Sequence, residues 1–422
     1  MLDIGPLAHL SHGSGFLRGQ EMLDEENLIT DSGKGILIEN GQISAIEDSE
    51  ELREEYLGGQ KGRDLSLQEL EGVELLEVGG RAVVPGLVDA HNHLMWGGDR
   101  SREARWRQQG LSYHEIAKKG GGIVHTVNET RGLTLDNLVT IGLARIHTAL
   151  LNGTTAMEVK SGYGLDTESE LRLLQAADEL RGVSIDSTWL GAHAAPPRMK
   201  REDYVEQILS EQLPEVLDSG LARSADVFCE PGWFTLEETE EICKAAMAGG
   251  MDLRLHVDEF TDAGGLSLAA ELNSQSGDHA HWSSDDARSK ADAANTLQCF
   301  LPGTPYSMGE THFPPASGCI ENDYAWAAAT DFNPNCRILS LPFVGSLLTQ
   351  RMGVDPLASL VAVSRNPAQV TMHEDGLDHG IIKVGGAADI NILDSPFWES
   401  WCQQPSNSPF AVTLRGGVVT SH

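Results

Sequence analysis

The chain has 422 residues, 40% of them hydrophobic, which is enough for a large core and more than one domain. Its formal net charge is -33, with 63 acidic against 30 basic residues, and this disfavours binding to nucleic acid or to an anionic membrane. No apolar run approaches the roughly 20 residues that span a bilayer, and the start, MLDIGPLAHL, lacks a basic-then-apolar leader, so a cytoplasmic protein is expected. The six cysteines are scattered without a Cys-x-x-Cys pair and read as buried thiols. Lysine is scarce, nine of the 30 basic residues, and the acid is spread along the whole chain. Such a surface repels itself until salt screens it, so a host with a salty cytoplasm is expected.

In chain order, residues 35 to 47 (GILIENGQISAIE) predict two short strands around an Asn40-Gly41 turn. VELLEVGGRAVVPG is strand-like again. Eight strand-like runs follow: 82–93, 153–164, 187–194, 225–230, 252–259, 276–281, 296–302 and 325–334. Most are separated by stretches suited to helices, such as LDNLVTIGLARIHTALLN. Eight strand–helix units over this length fit a (β/α)8 barrel in the α/β class. Near the C-terminus, residues 379 to 395 and 410 to 422 return to short strands with Gly turns. The two β-rich ends are expected to join in one small β-sandwich. The expected division is 1–82 and 373–422 for the composite β-domain and 83–372 for the barrel.

In a barrel the active site lies at the C-terminal ends of the strands. The first run ends in Asp-Ala-His-Asn-His, which puts His91 and His93 at i and i+2 on one strand face. Later strand ends carry Lys160, His193, Glu230, His256 with Glu259, Asp278 with His279, and Asp331 with Asn333. Three histidines and a carboxylate suit a hard-to-borderline divalent ion such as zinc or iron. One histidine at a strand end is more often a hydrogen-bonded structural residue. His-x-His, His-x-x-Glu, Asp-His and Thr-Asp at successive strand ends form a pattern that chance does not readily supply.

With PGLVDAHNH (85–93), GGDR (97–100), GLSYHEIAKKGGGI (110–123), TR (130–131), GTTAMEVKSGYGL (153–165), LGAHAAP (190–196), DVFCE (226–230), HVDEF (256–260), DH (278–279), ATDFNP (329–334) and SRNPAQ (364–369), the chain resembles the amidohydrolase superfamily from about residue 80 to 395. GGGI and EVKSGYGL are more specific than His-x-His. They are similar to the branch that opens the ring of 4-imidazolone-5-propanoate in the third step of histidine degradation. The resemblance implies a metal-bearing barrel with a small β-sandwich. It implies one divalent ion, Zn2+ or Fe2+/Fe3+, held by His91, His93, His256 and Asp331. It implies Glu259, His279 and Asp331 as catalytic residues. Around the substrate it implies Arg100 for the propanoate carboxylate, with Tyr113, Tyr163, His193 and Glu259. Asn333, Asn335 and Cys336 would meet the product, N-formimidoyl-L-glutamate. The chain departs from the family pattern at Asn335-Cys336, where a glycine and a hydroxyl residue usually follow, so contacts there are less secure. Lys160 is expected to pair with a local carboxylate and not to bridge two metals. A homodimer is a further implication. A nucleobase-type deaminase would share the ligands and Glu259 but have less use for Arg100 and the GGGI and SGYG loops.

Overall fold

The computed structural model describes residues 1–111 and 113–421, without the side chains of Tyr113, His114, Ala117 and Ser421. Its centre is one sheet of eight parallel strands in sequential order: β1 (Leu87–Asp89), β2 (Thr154–Lys160), β3 (Ser184–Ala192), β4 (Ser224–Cys229), β5 (Asp252–Val257), β6 (Ser276–His279), β7 (Leu297–Phe300) and β8 (Trp326–Ala328). Beyond the ends of β1 and β8 the sheet closes through a parallel bridge between Asn92 and Phe332. Across that seam the N–H of Asp331 donates to the His91 carbonyl at 3.0 Å, and the N–H of His93 donates to the Phe332 carbonyl at 2.9 Å. Lower down, the Asp89 carboxylate accepts from the Thr330 N–H at 2.9 Å and the Thr330 hydroxyl at 2.6 Å. The expected barrel is therefore present.

The helices between strands follow from amphipathic patterns. The longest, Leu135–Leu151, buries Leu138, Gly142, Ile146, Ala149 and Leu150, a stripe at helical spacing. Its first turn is capped by Thr134, whose hydroxyl accepts the Asn137 N–H at 3.3 Å. No helix among the described residues is long and apolar enough to cross a membrane.

Both chain ends build a second, six-stranded sheet. Ile390–Leu393 lies between Phe410–Arg415 and Val83–Pro85, and Leu7–Ala8 continues the sheet beyond Val83–Pro85. The expected hairpin is Lys34–Glu39 with Gln42–Asp48, and Asn40 and Gly41 both take positive φ at its turn. Its Ile36 and Ile43 join Val83, Ile390, Ile392 and Val412 in one apolar cluster, so hairpin and sheet pack on each other.

The structure corrects two sequence expectations. The run 82–93 is not one strand: Val83–Pro85 belongs to the terminal sheet and Leu87–Asp89 to the barrel. The chain changes sheet at Gly86, where a Cβ would meet Thr155 Oγ1 at 2.2 Å, so only glycine fits. Both halves are apolar and buried, so hydrophobicity gave no sign of the break. Within 379–395, only Ile390–Leu393 is strand; the preceding Gly-rich residues form turns.

Candidate active site

Alternation along the strands turns an unusually polar set of side chains into the barrel. His91 and His93, just past β1, meet His256 of β5 and Asp331 beyond β8. All four are at most 2% exposed. The Nε2 atoms of His93 and His256 are 3.3 Å apart. Asp331 Oδ1 is 3.6 Å from His91 Nε2 and 3.7 Å from His93 Nε2. One nitrogen each from His91, His93 and His256 lie within 4.8 Å of one another, and His91, His279 and Asp331 form a second group of that kind.

The protonation of these rings is set from behind. His91 Nδ1 is 2.6 Å from Asp278 Oδ2, and His256 Nδ1 is 2.8 Å from Asp226 Oδ2. A carboxylate only accepts, so each Nδ1 carries a proton and each Nε2 offers a lone pair. Burial, then the Lys160 ammonium, lowers the His256 pKa to about 3, and the same two causes hold His91 well below the ordinary range. His91 Nε2 is buried and has no hydrogen-bond partner. Converging lone pairs repel unless a cation sits between them. Two donors about 2.0–2.1 Å from one tetrahedral ion stand ~3.3 Å apart, which is the His93–His256 separation. The residues fit a divalent metal.

Glu259 follows His256 on a loop held by Glu230, whose carboxylate accepts the N–H groups of Glu259 and Thr261, each at 3.0 Å. Glu230 is thus a brace and lies outside the metal group. Burial, then the charges of Asp331, Glu230 and Glu310, raises the Glu259 pKa well above the ordinary carboxylate range. Glu259 Oε2 is 3.5 Å from Nε2 of His279, whose pKa is lowered mainly by burial. Burial also raises Asp331 to about 6; its Oδ2 accepts the Thr304 hydroxyl.

His93, His256, Glu259, His279 and Asp331 line a cleft of about 570 Å³ at the C-terminal ends of the strands, together with Arg100, Tyr163 and His193. Arg100 is 7% exposed, and its Nε and Nη2 donate to the Glu103 carboxylate at 2.8 and 2.9 Å. Glu103 also accepts the Gly122 N–H at 2.7 Å, tying the GGGI loop to Arg100. His193 Nδ1 is 2.8 Å from the Gly162 carbonyl, and its ring stacks on His93 at 5.1 Å. Burial, then His256, lowers its pKa to about 3, so it is neutral. Tyr113 opens the helix Tyr113–Lys118; its side chain lies outside the described residues. Asn333 and Asn335 line the cleft, but the Asn333 side chain is engaged locally, donating to the Asp331 carbonyl and accepting the N–H groups of Asn335 and Cys336. Cys336 is 1% exposed with its thiol against the Thr330 carbonyl, and it is not among the residues lining the cleft.

Sequence reasoning gave no role to Asp226, Glu158, Glu103, Glu170 or Thr304. Glu158 and Asp226 did carry a signal, a charged residue inside a strand that is otherwise buried, which only a partner can make tolerable; Glu103, Glu170 and Thr304 lie on helices with exposed faces, where a polar residue is ordinary. Lys160 pairs with local carboxylates as expected, three of them, and their charges outweigh burial and hold its pKa above the ordinary lysine range. Thr130 and Arg131 are loop braces: Thr130 accepts the Gly97 N–H at 2.9 Å and Arg131 donates to the Gly164 carbonyl at 2.6 Å.

Comparison with known proteins agrees with this geometry. A family model described as the amidohydrolase family matches residues 82–421. An imidazolonepropionase of Symbiobacterium thermophilum is 36% identical over 94% of this chain and 91% of its own. One of Haloarcula marismortui is 34% identical over 94% and 92%. One of Shewanella sediminis is 38% identical over 75% and 78%. Among solved structures, the fold is similar to an ochratoxinase of A. niger (TM-score 0.66, 14% identity, 99% of this chain and 94% of that one). It is also similar to a 5-methylcytosine deaminase from Klebsiella pneumoniae (TM-score 0.65, 14% identity, 92% and 93%).

Proposed function

The chain belongs to the amidohydrolase family, within its imidazolonepropionase branch, and on that premise we propose that it hydrolyses the ring amide of 4-imidazolone-5-propanoate to N-formimidoyl-L-glutamate. The observation that carries the reading is the meeting, in one cleft, of a metal-type histidine group, an elevated glutamic acid and a buried arginine.

In this reading His91, His93, His256 and Asp331 hold one ion, zinc or iron. Such an ion supplies Lewis acidity, polarising an amide carbonyl and making water acidic enough to attack at neutral pH. A second ion bridged by a carboxylated lysine is not part of the reading, because Lys160 is held as an ammonium by three carboxylates.

Arg100, fixed on its Nε–Nη2 edge by Glu103, takes the propanoate carboxylate. His193 spends its Nδ1–H on the Gly162 carbonyl, so its Nε2 can accept a ring N–H of the substrate. Tyr163, at ring distance of 5.7 Å from His93 and 5.1 Å from His193, completes that wall. Asn333 and Asn335 line the cleft and meet the product in this reading; the Cys336 thiol is turned to the Thr330 carbonyl instead.

Glu259 takes the proton of the attacking water and delivers it to the ring nitrogen as the C–N bond breaks. Its high pKa suits both halves of that task. His279 stabilises the negative charge that builds on the carbonyl oxygen. The ring carbonyl carbon becomes the α-carboxylate of the product.

The test is turnover. Metal-replete protein given freshly made substrate should yield N-formimidoyl-L-glutamate by mass spectrometry. Metal-loaded protein that gives no such product rejects this substrate.

A further inference from the structure

Lys160 ends β2, and its side chain is fully buried. Its Nζ lies 2.8 Å from Glu158 Oε1, 2.8 Å from Asp226 Oδ2 and 3.5 Å from Asp278 Oδ2. Two of these oxygens are already engaged: Asp226 Oδ2 holds Nδ1 of His256 and Asp278 Oδ2 holds Nδ1 of His91. One ammonium therefore touches, through a single oxygen each, the carboxylates that orient two imidazoles on different strands. Glu158, Asp226 and Asp278 are all 0% exposed. The other nearby cation, Arg254, donates elsewhere, to Asp186 and to the Ala90 and Val370 carbonyls. Three carboxylates in one dry layer repel one another strongly, and a cation in contact with all three offsets this.

We propose that Lys160 is a positioning residue for the metal centre: by balancing Asp226 and Asp278 it keeps both in place as acceptors, and so holds His256 and His91 with their Nε2 lone pairs turned to the ion. The inference rests on the metal reading of the site given above. Lys160 itself touches neither ion nor substrate. It acts through the carboxylates, and what it sets is the affinity and symmetry of the ligand group.

The experiment compares wild type, Lys160→Met and the double variant Lys160→Met/Glu158→Gln. Affinity for Zn2+ is measured by competition with a chromophoric chelator, and the Co2+ derivative is read by its visible absorption. Removing a partner behind a metal ligand costs about 10–100-fold in metal affinity, and that loss is expected for Lys160→Met, with an altered Co2+ spectrum. The double variant, with one carboxylate charge fewer, should recover much of the affinity. A side chain that only fills space predicts no such recovery, so a loss that Glu158→Gln leaves untouched overturns the proposal. Wild-type affinity and an unchanged spectrum in Lys160→Met also overturn it. If Lys160→Met does not fold, Lys160→Gln, polar but uncharged, takes its place with the same outcomes. A wild-type protein that binds neither ion overturns the metal reading, and this inference with it.

Discussion

The backbone N–H of Asp331 donates to the carbonyl of His91 at 3.0 Å, so two candidate metal ligands just beyond the first and last strands are hydrogen-bonded to each other where the barrel closes. Closure of the sheet and assembly of the ligand group are one event. The polar seam beneath them, Asp89 to Thr330, then matters for both.

Thr330→Val tests that coupling. It keeps the volume but removes the hydroxyl that Asp89 accepts at 2.6 Å. A buried acceptor losing a donor costs about 1–3 kcal/mol, to be read by denaturant unfolding of the metal-free protein. Metal affinity should fall as well, because Asp331 is the next residue. Loss of stability with unchanged metal affinity would show that the seam and the ligand group are independent.

Glu259→Gln should lower kcat by about 10²–10⁴-fold, the usual worth of a positioned acid–base group, while metal content stays at the wild-type level. The sign of the pH effect follows from the role. Glu259 must be ionised to accept a proton, so activity is lost as pH falls through its pKa. Burial and the neighbouring carboxylates raise that pKa. The acidic limb of kcat/KM is therefore expected above the ordinary glutamate value of about 4.3, and it should vanish from the residual activity of the variant.

Glu170 governs the SGYG loop. Its buried carboxylate accepts the N–H groups of Gly162 at 2.8 Å, Gly164 at 2.7 Å and Leu165 at 2.7 Å. Glutamine offers one oxygen and an NH2 group that faces other donors, so Glu170→Gln should release the loop. Tyr163 and His193 then shift. KM should rise, and a misplacement near 1 Å can cost about 10²-fold in catalysis. Metal affinity should be unaffected; a parallel loss of metal would assign Glu170 to the ligand group instead.

The net charge of -33 predicts a protein strengthened by salt. The screening length falls from about 10 Å at 0.1 M to about 3 Å at 1 M salt, which removes most self-repulsion. The thermal midpoint should climb steadily with KCl up to molar concentrations. A flat response would mean that the acidic surface carries no such dependence. On the role proposed for Arg100, screening would also let an anionic substrate approach and leave its capture to that residue at short range.

The barrel and the meeting of the strand-end histidines were legible because their signals are local. His91 and His93 show i, i+2 spacing in extended chain just past β1, and the helix Leu135–Leu151 shows its stripe in consecutive residues. What could not be read is tertiary. Asp226 and Asp278 sit on β4 and β6, and nothing in ADVFCE or SGDHAH says that both face one lysine from β2. The break at Gly86 is set by Thr155, nearly seventy residues away, through a contact no window contains. The positive φ angles of Asp258, His279 and Asp331, at or just past strand ends, also belong to non-glycine residues and leave no mark in composition. For Cys336 the motif placed the residue in the right loop, but the side chain points away from the cleft.

The most direct test of the hydrolytic assignment is turnover of 4-imidazolone-5-propanoate in water enriched with heavy oxygen, followed by tandem mass spectrometry of the product. The account predicts N-formimidoyl-L-glutamate carrying one heavy oxygen in its α-carboxylate, from attack at the ring carbonyl. Label released with a formyl fragment, or no labelled product from metal-loaded protein, would contradict it.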